Sequence, residues 1–85
     1  FTSNSIAISS SNAKNGELLI QSNIAMENAT LKIVAINGAV IENKNITLGE
    51  TTNTITINPI RSAGIYIVEI ETSNGKKFTQ KIMVN

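Results

Sequence analysis

Short apolar alternations broken by Asn-Gly pairs run the length of this chain, and they constrain its fold more than any other feature. Ile6 and Ile8, Leu18 and Ile20, Leu31, Ile33 and Ala35, Ile46 and Leu48, and Ile55 and Ile57 each recur at every second position. That period puts one face of an extended strand in a core. Nowhere does an apolar stripe with period 3.6 persist for ten residues, so no long amphipathic helix is expected. Asn74-Gly75 suits a two-residue hairpin turn, because both residue types tolerate positive φ; Asn37-Gly38 turns the chain into a second hairpin, and Asn15-Gly16 ends a polar loop. Pro59 ends the strand carrying Ile55 and Ile57, since it has no amide for a ladder. Residues Ser22 to Asn28 read as a connection, with one turn's worth of helical propensity over Ile24 to Glu27. Leu31 to Ile36 is largely apolar on both faces and reads as a central strand. Ala39 to Glu42 forms the return of a second hairpin, and Ile46 to Leu48 a separate run.

About seven short strands at regular spacing predict an all-β, immunoglobulin-like antiparallel β-sandwich. The Cys…Trp…Cys signature of true immunoglobulin domains is missing, so architecture alone is implied. Eighty-five residues make one domain, which buries little more than ~60% of its unfolded surface. Residues 1–5 read as the end of a linker and residues 6–85 as the sandwich. The core is expected to include Ile33, Ile55, Ile57, Tyr66, Val68, Phe78 and Ile82. The chain starts at Phe1 rather than Met and is expected to be a piece of a longer protein, whereas Val84-Asn85 reads as a natural end.

The chain contains no Cys, His, Trp or Asp. Without His or Cys the usual zinc, copper and thiolate sites cannot be assembled, and without Asp the common calcium loop is absent. A nucleophile–histidine–carboxylate triad is likewise excluded. No metal, cofactor or enzymatic activity is expected. Of the six Glu, only Glu69 and Glu71 lie close in sequence. Their spacing on a strand puts both on one face, read as a solvated face opposite Val68 and Ile70. A net charge of +1 with scattered basic residues is too little for a nucleic-acid footprint. No apolar run approaches the ~20 residues of a membrane helix. Asn28-Ala29-Thr30 and Asn45-Ile46-Thr47 match the N-glycosylation pattern, but in a chain so rich in Asn and Thr such matches arise by chance.

The last twenty-six residues are the most distinctive. Ile60 leads through Ser62-Ala63 to Gly64-Ile65-Tyr66, a strand, the Asn74-Gly75 turn and a returning strand from Phe78 to Val84. Gly64 allows an unusual backbone angle at the strand entrance. Tyr66 is expected to bury its ring and tie its hydroxyl at a sandwich corner. Lys76, Lys77 and Lys81 cluster here. Lysine on an edge strand blocks edge-to-edge aggregation; it equally forms a positive patch for an acidic receptor.

The order Ile60, Gly64, Tyr66, Gly75, Lys81, Ile82, Val84, ending the chain, resembles the C-terminal sorting domain of the bacterial type IX secretion system (type A; the Bacteroidetes Por secretion family). The resemblance extends back to Ile6: Gly16 follows Asn12 as in the family, and Leu31, Ile33, Gly38, Val40 and Ile41 fit its middle section. Ser11 and Ala13 replace the family's two prolines, which is expected to loosen the first turn, and Ala35 stands where Asp is common. The resemblance implies a domain that catalyses nothing. It would act as the export signal of an upstream cargo domain in the same chain, as a monomer recognised by the type IX translocon and presented to a sortase-like attachment machinery that often removes it. The protein would pass through the periplasm to the cell surface or medium. Lys76, Lys77, Lys81, Ile82, Met83, Val84 and Asn85 are the candidate recognition residues; Gly16, Gly38, Ile60, Gly64, Tyr66 and Gly75 form the structural motif. The competing reading is an accessory module that binds carbohydrate or protein beside a secreted enzyme or adhesin. Sugar-binding faces need exposed aromatic platforms, and the aromatic residues here are Phe1, Tyr66 and Phe78. A passive spacer in an adhesin stalk is a third.

Overall fold

Seven strands and one turn of 3-10 helix account for the regular structure of the computed structural model, which describes residues 6–85. The expected linker end at residues 1–5 lies outside the described residues. In chain order the elements are β1 (Ile6–Ser9), the 3-10 turn (Ala13–Asn15), β2 (Glu17–Ser22), β3 (Met26–Ala35), β4 (Val40–Leu48), β5 (Thr52–Thr56), β6 (Gly64–Glu71) and β7 (Lys77–Val84). They form two antiparallel sheets, ordered β1-β2-β5 and β4-β3-β6-β7. The all-β sandwich expected from the alternation is therefore observed. In the constant-type immunoglobulin arrangement the fourth strand lies in the first sheet; here it pairs with β3 in the second.

The inner faces carry the alternating residues. Leu18, Ile20, Leu31, Ile33, Leu48, Val68 and Ile70 are almost fully buried, and Ile55, Ile57, Tyr66 and Ile82 join them. Phe78 departs from expectation: it is only half-buried, packed against the rim of the core. It lies near the hairpin tip of β7, the last strand of its sheet, where a neighbouring strand flanks it on one side only.

The Asn74-Gly75 turn is one residue longer than the two-residue turn expected, and the Asn37-Gly38 turn is built in the same way. Gly38 N–H donates to Ala35 O (2.8 Å) and Ala35 N–H to Ala39 O (2.8 Å); Gly75 N–H donates to Thr72 O (3.0 Å) and Thr72 N–H to Lys76 O (2.8 Å). Only the glycines are left-handed, with φ of 93° and 92°, whereas Asn37 and Asn74 have negative φ. These are three-residue loops, a type I turn followed by a left-handed residue. Each Asn uses its side chain instead: Asn37 Oδ1 accepts from Ala39 N–H (3.1 Å), and Asn74 Oδ1 takes the Thr72 hydroxyl. The third pair, Asn15-Gly16, caps the 3-10 turn.

The stretch read as a connection with helical propensity is partly strand. Met26 pairs with Leu48 and Ala29 with Ile46, so one residue is extra on β3, and Asn28 takes it up at φ 56°. This is a bulge, and Asn tolerates the left-handed angle it demands. Likewise, Val40–Glu42 and Ile46–Leu48 belong to one strand, β4, which begins just after Ala39. Glu42 and Lys44 lie in the inward phase, opposite Ile33 and Leu31, which conceals its continuity from a hydrophobic reading.

Those two polar residues seal one side of the sandwich. Lys44 Nζ donates to Thr56 O (2.7 Å), Glu42 Oε1 accepts from Asn58 N–H (2.8 Å), and Asn58 Nδ2 donates to Ile41 O (3.1 Å). The opposite side is sealed between β1 and β7. There Gln80 acts as a surrogate peptide: Oε1 accepts from Ile8 N–H (3.1 Å) and Nε2 donates to Ile8 O (2.8 Å). Ser10 Oγ adds a bond to Met83 O (2.8 Å). The two sheets thus lack a shared ladder, but side chains occupy parts of their edges.

Candidate functional site

The terminal hairpin, β6 and β7, is set in the fold by its entrance, its tip and its edge. At the entrance Gly64 has φ 154°, a conformation side-chain-bearing residues rarely adopt, although space for a Cβ exists. The backbone angle, rather than crowding, selects glycine. Two residues on, Tyr66 is buried and its hydroxyl donates to Ser62 O at 2.7 Å. That bond ties the strand to the segment entering it, the corner arrangement expected from the sequence.

Ile60, in the same segment, is buried, and its N–H donates to Ala13 O at 3.0 Å. Gly16 completes this contact. Its carbonyl accepts from Ile57 N–H (2.8 Å), its φ is 88°, and a Cβ there would lie 2.9 Å from Ile57 O. The first turn, where Ser11 and Ala13 stand in place of prolines, is closed by Ala13 N–H to Ser10 O (3.0 Å). A proline at position 13 could not make this bond.

From this base β7 runs antiparallel to β6, from Glu71 opposite Lys77 to Gly64 opposite Val84. The candidate recognition residues divide by face. Ile82 and Val84 are buried on the inner face; Met83, Lys81 and Lys77 are exposed on the outer one; Lys76 sits in the turn, and Asn85 is exposed at the end. Lys77 Nζ lies 4.0 Å from a Glu69 carboxylate oxygen, a solvent-screened contact of little energetic weight. Lys81 lies opposite Ile67. Glu69 and Glu71 share the outer face with these lysines, as their spacing implies. Gln80, which holds Ile8, was not legible as a functional position. A polar residue in the inward phase of an edge strand carries no signal until the neighbouring sheet is placed.

Among the described residues no group of acidic side chains is disposed to hold a metal, and no helix is long and apolar enough to cross a membrane. The small sheet holds an open depression lined by Ala7, Ile8, Ser9, Leu19, Gln21 and Thr52, which include neither a nucleophile–base pair nor an aromatic platform.

The family model for the secretion system C-terminal sorting domain matches residues 4–85. The chain belongs to this family. It is a sorting domain of type IX secretion, a family of signals rather than enzymes, and membership implies a cargo that engages the type IX machinery and export to the cell surface or extracellular space. No curated protein and no solved structure matches the chain significantly.

Proposed function

We propose that this sorting domain directs an upstream cargo in the same chain from the periplasm through the type IX translocon. The terminal hairpin, Gly64 to Asn85, is the part that is read. The domain then reaches the outer surface with its cargo, where it meets sortase-like attachment machinery. It catalyses nothing and binds no metal or cofactor, and it acts as a monomer with residues 1–5 serving as a linker end. The single observation that carries this reading is the family match across 4–85. The division of the hairpin into a buried face that holds it in the sandwich and an exposed face bearing Lys77, Lys81 and Met83 supports it.

Among the described residues, the aromatic side chains give the carbohydrate-module reading no support. Tyr66 is buried, and Phe78 is half-buried against the core. Neither offers the flat exposed platform that sugar stacking requires.

The test is a pair of fusions in a host with type IX machinery: a periplasmic reporter followed by residues 1–85, and the same fusion ending at Lys81. The full domain is expected to carry the reporter to the surface or medium, and the truncated one to leave it in the periplasm. Equal surface exposure from both overturns the hairpin assignment. Equal periplasmic retention, with a polysaccharide retained by the isolated domain, favours the binding module.

A further inference from the structure

The outer face of the four-stranded sheet is split by chemistry into two halves. In one half cross-strand neighbours are polar and mostly opposite in charge: Lys32 beside Glu69, Glu69 beside Thr79, and Glu71 beside Lys77. One rank further along, Val40, Val34, Ile67 and Lys81 run side by side across all four strands, and beyond them Ile65 pairs with Met83. Met83 is 62% exposed, Val40 54% and Ile67 39%, and Ile36 in the adjoining turn is 75% exposed. Isolated apolar residues in water need no explanation, but a contiguous set on one sheet face does. The set also explains why Leu31 to Ile36 is largely apolar on both faces although only one faces the core.

Both strands bordering this sheet have part of their backbone engaged. Met83 O accepts from Ser10 Oγ, Gln80 is committed to Ile8, and Ile41 O on β4 accepts from Asn58. Adding a strand to β7 would compete with the Ser10 bond to Met83 O and crowd the Gln80 contact with Ile8. What the terminal strand offers freely is its outer row of side chains: Lys77, Thr79, Lys81 and Met83. Lys77 has Glu69 and Glu71 as neighbours. Lys81 is the single charge in the apolar half, and among the described residues it forms no ion pair.

We propose that this apolar half-face is the docking surface for the protein that reads the sorting signal, a partner presenting an apolar patch with a carboxylate placed to meet Lys81. The proposal rests on the sorting reading. Charge complementarity argues the occupant: covering Ile67 and Met83 removes water from around Lys81, and an acidic acceptor then compensates the ammonium. If this face docked on itself in a second copy, the carboxylates it offers would be Glu69 and Glu71, and both already neighbour Lys77.

The test uses the reporter fusion with residues 1–85 in a type IX host. It compares wild type, the double variant Ile67→Thr/Met83→Thr, Lys81→Glu, Lys81→Arg, and Leu19→Thr on the other sheet's outer face. The double variant and Lys81→Glu are expected to lower the exported fraction about tenfold, the effect of losing a modest hot spot. Lys81→Arg and Leu19→Thr are expected to export like wild type. Melting temperatures of the Lys81 variants should stay within about 3 °C of wild type, as for exposed substitutions generally; if the double variant melts lower, the Lys81 pair decides. Wild-type export matched by the double variant and by Lys81→Glu overturns the docking surface alone. A wild-type fusion retained in the periplasm overturns the sorting reading and this proposal with it. A wild-type domain that sediments as a dimer, while the double variant sediments as a monomer, assigns the face to a second copy and overturns the protein-receptor proposal.

Discussion

Tyr66 and Gly16 show how single residues hold a thin sandwich in register. Tyr66 combines a buried ring with one hydroxyl bond to Ser62 O, so its two contributions are separable. Tyr66→Phe removes the bond and is expected to cost about 1 kcal/mol. Tyr66→Ala also leaves a cavity and should cost about 3 kcal/mol or more. Urea denaturation of the two variants checks the order and the gap. The glycines differ in the same readable way. Gly75 has a left-handed φ and open space around it, so Gly75→Ala should cost about 1 kcal/mol. Gly16 has the same kind of φ and in addition lies against the Ile57 carbonyl, so Gly16→Ala should cost clearly more, about 2 kcal/mol or above. Equal losses at the two positions would mean that the close approach at Gly16 relaxes without cost. Tyr66 and Gly64 were legible in the sequence because the motif has a local meaning: a strand entrance and a corner tie. Gln80 was not, because its partner is Ile8, seventy-two residues away.

At the scale of elements, strands are legible where inward positions are apolar and obscure where they are not. β2, β6 and β3 from Leu31 onward follow their alternation. In β4 Glu42 and Lys44 occupy inward-phase positions at a sheet edge, where they reach Asn58 and Thr56, so alternation does not reveal one continuous strand. The start of β3 carries no such signal because its bulge at Asn28 breaks the period of two. The Asn-Gly pairs marked the two hairpins but not the loop length, since the same dipeptide serves a three-residue loop when only the glycine is left-handed. The side-chain seams give a prediction that belongs to elements. Gln80→Leu keeps the bulk of the side chain but leaves Ile8 N–H and C=O without partners. It should destabilise the domain by about 2 kcal/mol. Amide exchange at Ile8 should quicken by more than exchange at Leu31 in central β3. If both amides quicken equally, β1 opens only with the whole domain and the seam is not an independent closure.

The whole molecule is an elongated body of 38 × 21 × 20 Å whose architecture, seven strands and two sheets, was legible from spacing and turn residues. Its function was legible only through the order of motifs along the chain, because no residue pattern in it points by itself to a ligand or a reaction. The distribution of exposed apolar side chains was not legible, since covering of an outer face depends on which layers exist. Far-ultraviolet circular dichroism of the isolated domain should be dominated by strand, and a helical spectrum would contradict the fold. The central claim, that this sandwich is a type IX export signal for whatever precedes it, is tested most directly by locating one reporter fusion in two otherwise matched strains. With the translocon intact, a periplasmic reporter followed by residues 1–85 should be found at the cell surface or in the medium. With the translocon deleted, it should remain in the periplasm. An identical distribution in the two strains would contradict the account.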